Sequence, residues 1–262
     1  MLNANSFDRY LETASPIHRV DPRVKVLVAM AFIISVALLR DGAWTAYGAA
    51  AALILMATLA ARLSPWLVTR RSLLGLPFLL AVVTVLFTDP GRVVWSGPWG
   101  LEMTDAGLVR FVSIVLRSLI SLSAAVLLTA TTRFPDVLHA LRHLRVPAVL
   151  VSIIAFMYRY LFVLVEEVQR LLRARAARSA RLAGRASGGS LFWRASVAGH
   201  MAGQLLVRSL DRSERVYSAM QARGYRGELL TLAPHAMHGN DWGLLAVGLS
   251  GVVALQLIAF LS

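Results

Sequence analysis

The sequence predicts an all-α integral membrane protein: about five transmembrane helices, two long basic helices on the cytoplasmic side and a short interfacial helix. Three observations carry that expectation. The 262 residues are 57% hydrophobic with a mean hydropathy of +0.64, too apolar for an ordinary soluble domain. The apolar residues gather into runs approaching the ~20 residues that cross a ~30 Å hydrocarbon core. Arginine is unevenly spread: residues 166–226 hold twelve arginines, no lysine and four acids.

Residues 24–39, 43–61, 73–87 and 108–130 read as the first four spans. The first and third are short, about 24 Å at ~1.5 Å per residue, so their flanks must snorkel or pack on partners. Before span one, Pro22 forces Asp21 extended, where its carboxylate can cap the helix that follows. Residues 1–22 are polar and mixed, so the first span is expected to act as its own insertion signal. An inside N-terminus puts Arg9, Arg19, Arg23, Arg62, Arg70, Arg71, Arg133, Arg142 and Arg145 in the cytoplasm. Only Arg40 and Arg92 then stand in outside loops, which orients a multi-pass chain in the cell (inner) membrane. The outside loop 88–107 carries Trp95 and Trp99, expected at the membrane–water boundary, and ends in Thr104-Asp105, a cap and first-turn acid for span four. Residues 134–146, amphipathic and introduced by Pro135, suit an interfacial helix.

Residues 146–165 are apolar enough to cross, yet crossing would strand the twelve arginines outside. This segment is therefore expected to dip in or pack flat, as the start of one long helix running to about residue 182. Arg159 inside the run agrees. Gly184-Arg185-Ala186-Ser187-Gly188-Gly189 breaks the pattern. A second long helix follows over 190–223 with Gly224 as its stop, and 242–261 is the last span. The expected domains are 1–132, a membrane domain of four spans; 133–230, a cytoplasmic domain of the interfacial and two long helices; and 231–262, the C-terminal span.

Two similar endings close the long helices, Ala177-Arg178-Ser179 and Ala222-Arg223-Gly224. Arginine near a helix C-terminus gains about 0.3–1 kcal/mol from the helix dipole and needs no partner for that. The same planar fork, set at a tip beside a small residue, also suits a carboxylate on another surface. The residues leave both readings open. Along the second helix Val197, Met201, Leu205, Leu210, Val216, Tyr217 and Met220 make an apolar stripe, with Arg208, Arg212, Arg215 and Arg223 as a separate basic face for lipid or protein.

Arg117 lies well inside span four, where a charge pairs in the interior or touches another membrane subunit. No acid lies inside the spans to pair with it, which favours the second. His139 and His143 have an i,i+4 spacing that zinc can use, but lack a third ligand nearby and suit the headgroup region equally. His235, His238 and Asp241 form a similarly incomplete set. Zero cysteines exclude disulfides and thiolate chemistry, and neither a Walker glycine loop nor a nucleophile–base constellation is present. No catalytic, cofactor or metal site is expected. The net charge of +13 is first a topology signal; arginines on membrane-tethered helices place nucleic acid last among partners.

Several stretches resemble the transmembrane T component of energy-coupling factor (ECF) transporters of the cobalt/nickel type. They are residues 18–25, 104–108, Thr132-Arg133-Phe134-Pro135, 158–167 and 208–217, the last running into Ala219-Met220-Gln221-Ala222-Arg223-Gly224-Tyr225. The resemblance implies a non-catalytic coupling and scaffold subunit. Its two long helices would end in Ala-Arg-Gly-like signatures docked on two cytoplasmic ATPase subunits. A separate small membrane subunit would bind cobalt or nickel, and membrane lipid would surround the spans. Arg223 matches the second signature; Arg178 matches the first, with Ser179 where the pattern has glycine and Arg175 and Arg181 close by. Two alternatives stand beside it: a membrane-embedded enzyme using His18, Asp21 and the arginines on an anionic lipid, and a self-sufficient permease.

Overall fold

The structure, a computed structural model, describes residues 15–73, 75, 92–96, 102–178, 190–227, 237 and 239–261. Within them run helices α1 (Pro16–Arg19), α2 (Pro22–Ala37), α3 (Trp44–Ala60) and α4 (Pro65–Leu73), and strands β1 (Val93–Ser96) and β2 (Glu102–Thr104). Helices α5 (Asp105–Thr131), α6 (Phe134–His143), α7 (Ala148–Arg178), α8 (Leu191–Ala222) and α9 (Gly239–Leu261) follow. The protein is an all-α membrane protein apart from one short hairpin. Among the described residues α5, α7 and 241–261 are long and apolar enough to cross a membrane. Most of the expected third span, and Trp99, lie outside the described residues.

The caps fall where local chemistry puts them. Pro22 opens α2 and the Arg23 N–H donates to Asp21 Oδ1 at 2.8 Å. Thr104 Oγ1 accepts from the Gly107 N–H at 3.0 Å, with Asp105 in the first turn of α5. Besides the single turn α1, a hairpin and a helix are additions to the sequence reading. In the outside loop, β-branched Val93 and Val94 with Trp95 pair antiparallel to Glu102–Thr104. Reciprocal bonds close that hairpin: Asp105 N to Arg92 O and Arg92 N to Asp105 Oδ1, both 3.1 Å. Helix α4 occupies what was read as a cytoplasmic loop, with the Arg70 guanidinium 5.2 Å from the Trp66 ring and buried Ser72 bonded to Ser123 of α5 at 2.9 Å.

The described residues divide into two compact units, one within Leu144–Ala233 and one formed by Asp8–His143 with Pro234–Ser262. The second is a bundle in which α2 packs on α5, α6 and α9, and α3 packs on α5 and α9. Helix α6 packs within this bundle, as does the C-terminal span. The core joins Phe32, Val36, Leu39, Tyr47, Ile120 and Leu255, with Ala46 and Ala50 letting backbones come close. A Cβ at Gly248 would sit 2.7 Å from Val28 Cγ2, so α9 lies against α2 only because that side chain is missing. Polar ties fix the pair: Gln256 Nε2 donates to Ser35 O (3.0 Å) and Oγ (2.9 Å), and the Asp21 N–H to Asp241 Oδ1 (3.2 Å).

Candidate coupling site on the two long helices

Local sequence dictates how α8 ends. The Gly224 N–H donates to Gln221 O at 2.9 Å and the Tyr225 N–H to Met220 O at 3.0 Å, the paired bonds of a Schellman ending. Gly224 has φ +81° and open space around it, so backbone conformation rather than crowding demands glycine there. Tyr225 turns back to meet Phe156 of α7, ring centroids 6.4 Å apart and planes at 77°. Ala222 and Arg223 are left exposed at the corner. On α7, Arg178 is the last residue described and is exposed with Ala177; Ser179 lies outside the described residues.

The two helices meet in opposite chain directions. Phe156 touches Tyr225, while eleven residues further along α7 Glu167 receives Arg208 of α8, Nη1 to Oε1 at 2.6 Å. The tips therefore lie at opposite ends of the pair. From that ion pair it is about 16 Å along α7 to Arg178 and about 22 Å along α8 to Arg223, at ~1.5 Å per residue. Between the helices runs an apolar groove of about 490 Å³, floored by Phe156, Tyr160 and Leu164 of α7 and Val216 and Met220 of α8.

The four arginines expected to form a basic face have different surroundings. Arg208 is drawn to Glu167, Arg212 is half-buried along the groove, and Arg215 and Arg223 face outward. Val197, Met201, Leu205, Val216 and Met220 are half-buried as their spacing suggests, whereas Leu210 and Tyr217 stay exposed at the groove's rim. Sequence reasoning missed Glu167 as a site residue. Its signal was present: it continues the Phe156, Tyr160, Leu164 spacing, so an acid stands on an apolar stripe.

Arg117 has an acid partner outside the spans: its Nη2 donates to Asp41 Oδ1, just past α2, at 2.8 Å. The same nitrogen reaches Leu39 O at 2.7 Å and Tyr47 Oη at 3.2 Å, and Arg110 Nε lies 3.7 Å from the other Asp41 oxygen. With the Gly42 N–H donating to Ser113 Oγ at 3.0 Å, these bonds hold the α2–α3 turn against α5. Interior pairing is thus satisfied within the chain.

The histidines also have protein partners. The Arg23 guanidinium donates to His143 Nε2 at 2.8 Å and His139 Nε2 at 3.0 Å. A guanidinium has no lone pair to give, so both Nε2 lone pairs are directed at a cation rather than at a vacant metal position. His18 Nδ1 bonds Ser15 Oγ at 2.6 Å, and Asp241 is tied to the Asp21 amide. His235 and His238 lie outside the described residues, and among the described residues no three His, Cys, Asp or Glu converge.

Comparison with known proteins adds to this geometry. The family model described as CbiQ, cobalt transport protein, matches residues 13–232. The chain belongs to the CbiQ family. This CbiQ-family chain is similar to the energy-coupling factor transporter transmembrane protein EcfT of Acidaminococcus fermentans, 29% identical over 272 residues, covering 100% of this chain and 97% of the relative. It is 31% identical to the EcfT of Brevibacillus brevis over 239 residues, covering 87% of each. The cobalt transport protein CbiQ of Rhodobacter capsulatus is 32% identical over 157 residues, 59% of this chain and 62% of that one. As a CbiQ-family member the chain is a transmembrane component of an ECF-type transporter.

Proposed function

We propose that this chain is the coupling subunit of an ECF-type importer for cobalt or nickel ions, non-catalytic itself. Arg178 and Arg223 dock on two cytoplasmic ATPase subunits, and α7 and α8 carry the ATPases' motion to a small substrate-binding membrane subunit. The observation that carries this reading is the placement of two exposed arginines at opposite ends of one antiparallel helix pair. Two equivalent grooves on an ATPase dimer require two such prongs, well separated. An arginine fork seated on a groove carboxylate gains about 1.5–3 kcal/mol net per charge-assisted hydrogen bond. The orientation that fits is an N-terminus and long-helix region in the cytoplasm of a chain in the cell (inner) membrane. Metal ligands then belong to the partner membrane subunit, in line with imidazoles that are spent on Arg23. The names of the matching family and of the Rhodobacter capsulatus relative support cobalt as cargo.

The test is co-purification of the chain with its two ATPase subunits, comparing wild type with Arg178→Glu and Arg223→Glu. Wild type should capture both. Each reversal should abolish capture at its tip, because breaking a buried pair and placing acid against acid costs about 3–5 kcal/mol. Failure of wild type to bind, or undiminished capture by both variants, overturns the proposal.

A further inference from the structure

We propose that Glu167 and Arg208 form the pivot of the two long helices, an ion pair that fixes their crossing at one point so that displacement of one tip is passed to the other. This rests on the coupling role proposed above. Three observations place the pivot there. First, burial singles it out. Glu167 is the only buried residue in the second half of α7, and α8 buries none at all. Second, both carboxylate oxygens are taken by arginines: Oε1 by Arg208 at 2.6 Å across the helix pair, and Oε2 by Arg170 at 3.5 Å on α7 itself. Third, on the Phe156 side of the ion pair the two helices flank an open apolar groove of about 490 Å³.

Apolar side chains over an open groove have no directional preference and let two helices roll and slide. A short ion pair is directional; its carboxylate is buried while Arg208 is half exposed, and fixing register is the best-attested use of a buried charge. The combination is a fixed point beside a compliant surface, which makes rigid helices act as levers. The arms, about 16 Å to Arg178 and about 22 Å to Arg223, are similar enough for a displacement at one tip to return at comparable size at the other. The neighbouring acid, Glu166, is exposed and supplies a control of identical charge change.

The chain contains no cysteine, so spin labels can be attached to Ala176→Cys and Gln221→Cys, exposed positions near the tips of the full-length protein in lipid nanodiscs. Pulsed electron paramagnetic resonance should give a narrow tip-to-tip distance distribution. Glu167→Gln and Arg208→Gln should each lose it, Glu166→Gln should keep it, and the swap of Glu167→Arg with Arg208→Glu should restore it. A distribution that stays narrow in both single variants overturns the pivot. Reconstitution with the ATPase subunits adds a second readout: Glu167→Gln should still capture them but transport roughly 2- to 30-fold less per ATP hydrolysed. Loss of capture in step with transport would reduce the pair to a structural role and also overturn the proposal. The distances need no ATPase, so a wild-type chain that captures none would refute the coupling role and leave the pivot geometry still decided.

Discussion

The membrane bundle and the long-helix pair treat polar groups in opposite ways. In the bundle, several polar groups drawn inward meet a partner from another element: Arg117 with Asp41, Gln256 with Ser35, the Asp21 amide with Asp241, Lys25 Nζ with the Thr131 carbonyl at 3.2 Å. Hydrocarbon supplies no hydrogen bonds, so a span with an open polar group would be strongly disfavoured. In the pair α7–α8 a single acid, Glu167, is buried and doubly held, while most of the other described arginines are exposed and Leu206, Val207 and Leu210 are more than half exposed. Both regions expose apolar side chains, Val247 and Phe260 in the bundle as much as Leu206 in the pair, so the difference lies in how many cross-element polar ties each contains.

Substitutions can break or sharpen that contrast. The largest expected effect lies in the bundle at Gly248→Val. A side chain there must displace Val28, which a Cβ would already approach to 2.7 Å, so overpacking should lower stability by about 2–3 kcal/mol. Thermal unfolding in detergent measures it, and an unchanged midpoint would mean that α9 is not held against α2. Next comes Gly224→Ala in the helix pair. Its φ of +81° makes an L side chain cost about 1–2 kcal/mol, felt as fraying of the last turn of α8. Hydrogen exchange of the Tyr225 amide should quicken, while Gly243→Ala, in open space on α9, should be neutral or slightly stabilising. The smallest effect is expected at Val207→Ser. Because Val207 is 57% exposed, stability should move by no more than about 0.5 kcal/mol. A larger loss on chemical unfolding of the isolated chain would show that α8 is packed within it after all.

Much of this was readable before any coordinates. Asp21 and Thr104 cap their helices, Gly224 stops α8, and the apolar runs at 24–39, 43–61, 108–130 and 242–261 became helices α2, α3, α5 and α9 within a few residues. Such features depend on side chains within a turn of one another, or on the length of apolar chain that hydrocarbon demands. The β1–β2 hairpin was partly legible in Val93-Val94-Trp95, but a pairing needs its second strand, and Glu102-Met103-Thr104 carries no comparable signal.

What the sequence determined by itself, then, is a membrane protein of helices, where most of those helices begin or end, and Arg223 set at the cap of α8. Tertiary structure alone decided which charges meet. Arg117 and Asp41 are 76 positions apart, and Glu167 and Arg208 are 41 apart. No local pattern links either pair. An ion pair forms where packed backbones bring a fork within about 3 Å of a carboxylate, and only the folded chain sets that distance.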